Sequence, residues 1–190
     1  MNNIQIFGFP RSTYVQTVRL IALTLNLPIT LAPLAFRQAS HAELHPFMKM
    51  PAMKHGNITL FETLAIATYL NEQVPSRGLI PGKLEYKCRM LSWVSAAIDY
   101  YYPALVTAAV ENTVDMDKCG NLLGILEKTL SVSPYLAGPE LSLADLFILP
   151  MVTFIEKQAP CNGERPFKHL DNWLDTLKGK AGYMEILNDE

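Results

Sequence analysis

Apolar and polar residues recur at regular spacings through the first 75 residues and predict strands and helices in turn. Residues 4–9 alternate in the manner of a strand, and apolar residues then recur at the spacing of a helix that ends before Pro28. Ser12 or Thr13 stands where the N-cap of that helix is expected. A short polar helix or turn is predicted at 37–44 and a helix at 63–73, and further strands are predicted at 29–34, 51–53 and 58–61. The predicted order is β-α-β-α-β-β-α, a sheet covered by helices.

Beyond residue 75 the strand pattern disappears and only helical spacings remain. Residues 74–83 contain two Pro and two Gly, so we predict a linker at 76–83 between an N-terminal domain, residues 1–75, and a helical C-terminal domain, residues 84–190. A long helix with a kink at Pro103 should follow the linker. Ser142 and Asp145 form a capping box for a buried helix through residue 154. The remaining helices are predicted at 116–130 and 167–178.

Composition narrows the classes of function. The chain has 190 residues, 49% apolar and 18% charged, with a net charge of −2, which is typical of a globular protein. Basic and acidic residues are mixed along the whole length, so a nucleic-acid partner is not expected. The N-terminus lacks the positive flank of a secretory signal, and no apolar run approaches the roughly 20 residues of a membrane span. We therefore expect a cytoplasmic protein that does not bind membranes.

Cysteine and histidine spacing argues against a metal site. Cys88, Cys119 and Cys161 are widely separated and include no Cys-x-x-Cys pair, so neither a disulfide framework nor a zinc site is expected. The four histidines lack the spacing of metal ligands. We interpret them as surface or loop residues: His41, His45, His55 and His169.

Two motifs in the N-terminal domain point to a ligand site. Residues 45–53 read His-Pro-Phe-Met-Lys-Met-Pro-Ala-Met, and Pro51, which cannot donate to a strand ladder, suggests a main chain turned toward a ligand. Glu62 and Thr63 open an apolar helix, where free N–H groups and a carboxylate can receive the charged end of a ligand. The two motifs together indicate one site with two halves.

With these motifs the whole chain resembles a glutathione S-transferase. Three features carry the resemblance: Pro-Phe-x-Lys-x-Pro-Ala at 46–52, Leu-Phe-Glu-Thr at 60–63, and Gly138 before the Ser142 and Asp145 box. The opening residues 7–13, followed by Val-Arg at 18–19, are most similar to the serine-type classes such as phi. The resemblance implies an α/β thioredoxin-like N-terminal domain and an all-α C-terminal domain. His45 and Met48 depart from the Asn and Gly that are usual there.

The resemblance implies that Ser12 stabilises the glutathione thiolate. A thiol with a pKa near 8.5 is only a few per cent ionised at neutral pH. A hydroxyl hydrogen bond to a charged group contributes about 1.5–3 kcal/mol and a helix N-terminus about 0.3–2 kcal/mol, which together bring the thiol pKa near or below 7. Thr13 competes for this role and Tyr14 is a weaker third candidate, while the alternative interpretation makes Ser12 or Thr13 a simple helix cap.

The remaining contacts of glutathione are implied by the same resemblance. Met50 should pair its main chain with the cysteinyl part, beside a cis peptide bond at Pro51. Glu62 should accept the γ-glutamyl ammonium, and Thr63 with its N–H should meet the γ-glutamyl carboxylate. The candidates for the glycyl carboxylate are Lys49 and Arg37, either of which is equally explained as a solvated surface charge.

The resemblance also implies a pocket for a hydrophobic electrophile between the two domains. Its expected lining residues are Phe9, Arg11 and, from the tyrosine cluster at 100–102, Tyr101. Phe47 occupies the place of an aromatic key that inserts into a partner subunit, which implies a homodimer.

The implied activity is conjugation of glutathione, as cosubstrate, to a small electrophile without a metal. The alternative is a noncatalytic module, a ligand carrier or a unit like that of translation factors. A thiol-transferase role is disfavoured because no cysteine lies near Ser12.

Overall fold

The computed structural model describes residues 3–158 and 167–189, so Cys161 lies outside the described residues. The chain divides into two compact units, and the boundary between Gly78 and Leu79 falls inside the predicted linker. The first unit also includes the chain from Glu185 onward, whereas the sequence analysis placed those residues in the helical domain. The physical reason is that residues near the C-terminus bond to side chains of the first helix of that unit. Arg19 Nη2 lies 2.7 Å from Asp189 Oδ2, and Gln16 Nε2 donates to the Leu187 carbonyl at 3.5 Å.

A mixed sheet in the order β2-β1-β3-β4 forms the first unit. The β1–β2 pair is parallel, and the β1–β3 and β3–β4 pairs are antiparallel. Its strands are β1 (Ile4–Phe7), β2 (Ile29–Ala32), β3 (Ala52–His55) and β4 (Ile58–Phe61). Its helices are α1 (Thr13–Thr24), α2 (Ala39–Leu44) and α3 (Thr63–Glu72), followed by a short 3-10 turn at Pro75–Arg77. The predicted order of elements is confirmed.

The core of this unit follows from the spacing of apolar residues. Ile6 and Met53 face each other across β1 and β3 and are fully buried, and Val18 of α1 and Ile66 of α3 are equally inaccessible. Gly8 follows β1 at a close approach, because a Cβ added there would overlap Val15 Cγ2. The chain can therefore turn tightly from β1 into α1, which keeps the start of α1 near the C-terminal end of β1.

The second unit is helical over its described residues. Its helices are α4 (Leu84–Ala96), α5 (Ala108–Val110), α6 (Met116–Leu130), α7 (Leu143–Gln158), α8 (Lys168–Lys178) and α9 (Tyr183–Leu187), the last of which crosses the boundary between the units. A stretch of π-helix, Ala97–Thr107, joins α4 to α5. Pro103 lies inside it, and the Ala108 N–H donates to the Pro103 carbonyl five residues earlier. Because proline has no N–H and crowds the preceding turn, wider turns replace the regular helix there.

Asp145 is fully buried at the start of α7 and accepts four hydrogen bonds. One carboxylate oxygen accepts from the Leu136 N–H and the Trp173 indole N–H, both at 3.0 Å. The other accepts from the Ser142 N–H at 3.0 Å and the Ser142 hydroxyl at 3.1 Å. The capping role predicted from the spacing is present, and the carboxylate also ties α7 to α8.

Two further findings concern the described part of the chain. No helix there is long and apolar enough to cross a membrane. A cavity of about 190 Å³ lies in the second unit beside Tyr135, His169 and Trp173, and none of the predicted glutathione-site residues lines it.

Candidate functional site

Ser12 directly precedes α1, and its main chain forms the N-cap of that helix. Its N–H donates to the Phe9 carbonyl at 3.1 Å and its carbonyl accepts the Gln16 N–H at 2.8 Å. Its hydroxyl makes no capping hydrogen bond, and the residue is only half-buried. The simple-cap interpretation therefore lacks its hydrogen bond. A hydroxyl at a helix N-terminus that does not serve the helix is left available to an anion.

Thr13, the competing hydroxyl, is in a different environment. It is the first residue of α1 and is only 2% exposed. Its Oγ1 is shielded from solvent and has no hydrogen-bond partner in the described part of the chain. A ligand thiol cannot reach this atom without a movement of the backbone, so the accessible hydroxyl of the pair belongs to Ser12.

The Met50–Pro51 peptide bond is cis, and it lies immediately before β3. No main-chain hydrogen bond joins Met50 to another described residue, while the Phe9 N–H donates to the Met50 thioether at 3.5 Å. Unpaired N–H and C=O groups at the end of a strand are the groups with which an extended peptide pairs.

Glu62 has a backbone conformation that is unusual for a residue with a side chain. Its φ is 67° and its ψ 125°, directly before α3. Such a conformation costs on the order of 1–3 kcal/mol and is concentrated at ligand-binding positions. The Glu62 carboxylate is 63% exposed, and the Glu62 carbonyl accepts the Ile66 N–H at 3.1 Å, which leaves the N–H groups of residues 63–65 at the open end of α3. Thr63 is buried at that end.

The two candidate cations lie on the loop around α2 and are both exposed. Arg37 has a φ of 62°, and its guanidinium lies over the Phe36 ring at 5.3 Å. Its N–H donates to His41 Nδ1 at 3.1 Å, and His41 Nε2 lies 2.8 Å from the Lys49 carbonyl, to which it donates. His41 therefore ties the main chains of Arg37 and Lys49 together.

The interpretation of His41 as a surface or loop residue is wrong, because His41 is buried within α2, whereas His45 does lie in the loop after α2 but is not at the surface. His41 is fully buried on the side of α2 that also buries Leu44, and His45, the residue that follows α2, is only 2% exposed. The spacing i, i+3 of His41 and Leu44 is that of one helix face, and it is the signal in the sequence for the burial of His41. The structure thus adds two buried imidazoles to the candidate site: His41, which donates to the Lys49 carbonyl, and His45, which faces Glu62.

The residues chosen for the electrophile pocket are in different environments. Phe9 and Arg11 are exposed in the loop between β1 and α1, next to Ser12, and the Phe9 ring contacts Phe36 with centroids 5.5 Å apart. Tyr101 is 2% exposed in the core of the second unit, where its hydroxyl donates to the Leu122 carbonyl at 2.9 Å. Burial also raises the pKa of Tyr101. Because its ring and hydroxyl are both used by the core, we do not retain Tyr101 as a pocket residue.

Phe47 projects from the loop after α2 and is 68% exposed. Its ring contacts Phe61 at a centroid distance of 6.2 Å, and Phe61 is itself 37% exposed. An apolar surface centred on an exposed aromatic ring is typical of a protein interface. No group of three or more His, Cys, Asp or Glu side chains suited to a metal occurs in the described ranges.

Comparisons with known proteins agree with the fold and with the motifs. Residues 6–78 match the family model "Glutathione S-transferase, N-terminal domain" and residues 97–180 match "Glutathione S-transferase, C-terminal domain". Glutathione S-transferase 1 of Triticum aestivum is 30% identical over 98% of this chain and 94% of its own length. Glutathione S-transferase F10 of Arabidopsis thaliana is 26% identical over 79% of this chain and 78% of its own.

Comparison with solved structures identifies the same fold. Glutathione transferase F7 from Populus trichocarpa superposes with a TM-score of 0.83 and 25% identity, covering 96% of this chain and 97% of that one. The chain therefore belongs to the glutathione S-transferase family. Its first unit is the predicted thioredoxin-like domain and its second the predicted helical domain. It is a glutathione S-transferase, an enzyme of glutathione conjugation, and its substrate is glutathione.

Proposed function

We propose that this enzyme binds glutathione along the first unit and uses the Ser12 hydroxyl to hold its thiol as the thiolate for attack on a small apolar electrophile. The observation that carries the proposal is the Ser12 hydroxyl itself, which is accessible at the N-terminus of α1 and makes no capping hydrogen bond. A hydroxyl and a helix dipole directed at one sulfur both favour its anion.

The reaction needs no group beyond these. The thiol proton passes to solvent as glutathione binds, and the sulfur donates an electron pair to an electrophilic carbon. A new carbon–sulfur bond forms, and the leaving group departs with the electrons of the bond that breaks. Phe9, which is exposed beside Ser12, offers an apolar surface to the electrophile, and the adjacent Arg11 offers positive charge to a leaving anion.

The tripeptide is held by complementary groups at both ends. The unpaired main chain of Met50, next to Pro51, receives the cysteinyl part as an added strand would. Glu62 accepts the γ-glutamyl ammonium, and the free N–H groups at Thr63 accept the adjacent carboxylate. Lys49 and Arg37 supply positive charge for the glycyl carboxylate.

The proposal is tested by incubating the purified protein with glutathione and an aryl halide activated by nitro groups. We expect enzyme-dependent formation of the thioether and, without electrophile, a thiolate ultraviolet band from bound glutathione at neutral pH. Thioether formation no faster than the uncatalysed reaction, together with no heat of binding at millimolar glutathione, would disprove the proposal.

Glu62→Gln should weaken glutathione binding without unfolding the protein. The substitution keeps the shape and the hydrogen-bonding capacity of the side chain but removes the charge that faces the ammonium. Since a hydrogen bond to a charged group contributes about 1.5–3 kcal/mol, the dissociation constant should rise roughly 10- to 150-fold. Calorimetric titration measures it.

The matched control is Glu43→Gln, which removes the same charge from an exposed position of α2. It should change the dissociation constant less than twofold, because the proposal gives Glu43 no contact with the ligand and exposed charges are screened by salt. Equal weakening in both variants would show that net charge, and not a contact at Glu62, controls binding.

We also propose that the enzyme is a homodimer in which Phe47 inserts into the partner subunit. Phe47→Ala should shift the dimer toward monomer, because a buried aromatic anchor contributes about 2 kcal/mol or more to an interface. Sedimentation velocity over a concentration series measures the shift. Val132→Ala is the control, since Val132 is an apolar residue that is 84% exposed and belongs to the second unit. An unchanged association constant for Phe47→Ala would exclude Phe47 from the interface.

A further inference from the structure

His45 joins two parts of the glutathione site that are far apart in sequence. Its backbone follows α2 and leads into the loop at 46–50, and its side chain, 2% exposed, reaches the Glu62 carboxylate with Nε2 4.0 Å from Oε1. The Phe61 ring lies against it at a centroid distance of 5.1 Å. A buried, polar side chain in contact with both halves of a ligand site is placed to affect both.

The hydrogen bonds of His45 define its protonation state. The Phe47 N–H donates to His45 Nδ1 at 3.3 Å, so Nδ1 must carry a lone pair and not a proton. The single proton of the neutral ring is then on Nε2, the atom that faces Glu62. Protonation of Nδ1 would set two hydrogens against each other and release the Phe47 N–H.

The charged and titratable groups around His45 shift its pKa in opposite directions. Glu62 favours the protonated imidazole, whereas His41 and Lys49 disfavour it, and burial disfavours it most. The net result is a pKa of His45 below its usual value of 6.5. Phe47 and Phe61, the other side chains in ring contact with it, carry no charge.

We propose that His45 is a positioning residue that makes glutathione binding depend on pH, because its protonated form competes with the γ-glutamyl ammonium for Glu62. This inference rests on the proposed role of Glu62 as the ammonium acceptor. Neutral His45 holds the Phe47 N–H and leaves the Glu62 charge available to the ligand. Protonated His45 pairs with Glu62 and loosens the loop that carries Lys49 and Met50.

Thermodynamic linkage gives the sign of the effect. A bound ammonium neutralises Glu62, the group that favours protonation of His45, so ligand binding lowers the pKa of His45 further. By reciprocity, protonation of His45 lowers the affinity for the ligand by the same factor. Affinity is then constant above the pKa of His45 in the free enzyme and falls as pH decreases below it, by up to about tenfold per pH unit.

The experiment measures binding of S-methylglutathione, which has the ammonium but no ionisable thiol, between pH 8 and pH 5. The proteins are the wild type, His45→Asn and the control His55→Asn, a half-buried histidine bonded to Tyr69 that does not contact Glu62. Asn at position 45 can accept the Phe47 N–H through its amide oxygen and does not titrate. We expect the wild type and His55→Asn to lose more than about twofold in affinity on acidification through the pKa of His45, and His45→Asn to stay within about twofold.

Parallel loss of affinity in wild type and His45→Asn would overturn the inference while leaving the proposed function intact. Absence of binding by the wild type even at pH 8 would instead overturn the proposed function and the inference that rests on it. A direct measurement uses wild type alone, so it does not depend on the variant folding. The His45 ring proton followed by NMR should titrate at lower pH when S-methylglutathione is saturating, and an unshifted titration contradicts the competition.

Discussion

Replacing Ser12 by Ala is expected to raise the pKa of enzyme-bound glutathione by about 1–2 units, because a hydroxyl hydrogen bond to an anion contributes about 1.5–3 kcal/mol. Thiolate should then make up roughly a tenth or less of the bound glutathione at neutral pH, and kcat/KM should fall with it. Affinity for S-methylglutathione should stay nearly constant, since the proposed hydrogen bond of Ser12 is to the thiolate, which S-methylglutathione lacks. Ultraviolet titration of the bound thiolate and steady-state kinetics measure the two effects.

Thr13→Val is the matched control for Ser12→Ala. The Thr13 hydroxyl is buried and has no partner among the described residues, so its removal takes no contact from the thiolate. The variant should keep the wild-type thiol pKa and be equally or more stable, because an unsatisfied buried hydroxyl is costly. If Thr13→Val raised the thiol pKa and Ser12→Ala did not, the catalytic hydroxyl would be that of Thr13.

Asp145→Ala should destabilise the protein by about 3–5 kcal/mol, because each buried donor left without an acceptor costs about 1–3 kcal/mol. Three N–H donors, from Leu136, Ser142 and the Trp173 indole, would lose their acceptor in a site closed to solvent. The loss is a large part of the 5–15 kcal/mol that stabilises an ordinary domain. Urea denaturation followed by tryptophan fluorescence is a direct measurement, because Trp173 is itself a partner of Asp145.

Asp115→Ala provides the comparison for Asp145→Ala. Asp115 is the N-cap of α6 and accepts the Lys118 N–H at 3.0 Å, but it is exposed to solvent. Water can replace the lost acceptor, so the cost should be about 0.5–2 kcal/mol. Similar losses of stability in the two variants would show that burial adds little at Asp145. They would contradict the large contribution expected from its four buried hydrogen bonds.

The ends of the elements show how far local pattern carries. Helix α6 has the predicted bounds, because an acidic N-cap and a closing Ser-Val-Ser-Pro segment mark its ends in the sequence. Helix α1 ends at Thr24, earlier than the limit set by Pro28. Asn26 adopts a φ of 55°, and the Leu27 N–H returns to the Ala22 carbonyl at 2.9 Å, which closes the helix. A proline marks only where a helix can no longer continue, not where it ends.

Strand β1 ends at Phe7, although the alternating pattern extends to residue 9, because its pairing with β3 ends at Ala52. The residues beyond it instead turn toward α1 and place Phe9 and Ser12 at the site. The π-helix around Pro103 also differs from the predicted kink in a regular helix. In both places, hydrogen-bond partners rather than apolar spacing decided the geometry.

Local sequence is enough to predict the order of strands and helices and the presence of a carboxylate and a hydroxyl at two helix starts, because periodicity, caps and turns act over a few residues. It cannot distinguish the Ser12 hydroxyl from that of Thr13, since their difference in exposure depends on packing around α1. Nor can it bring His45 to Glu62, seventeen positions along the chain. Burial and charge contact arise between segments distant in sequence, and only the folded chain places those segments side by side.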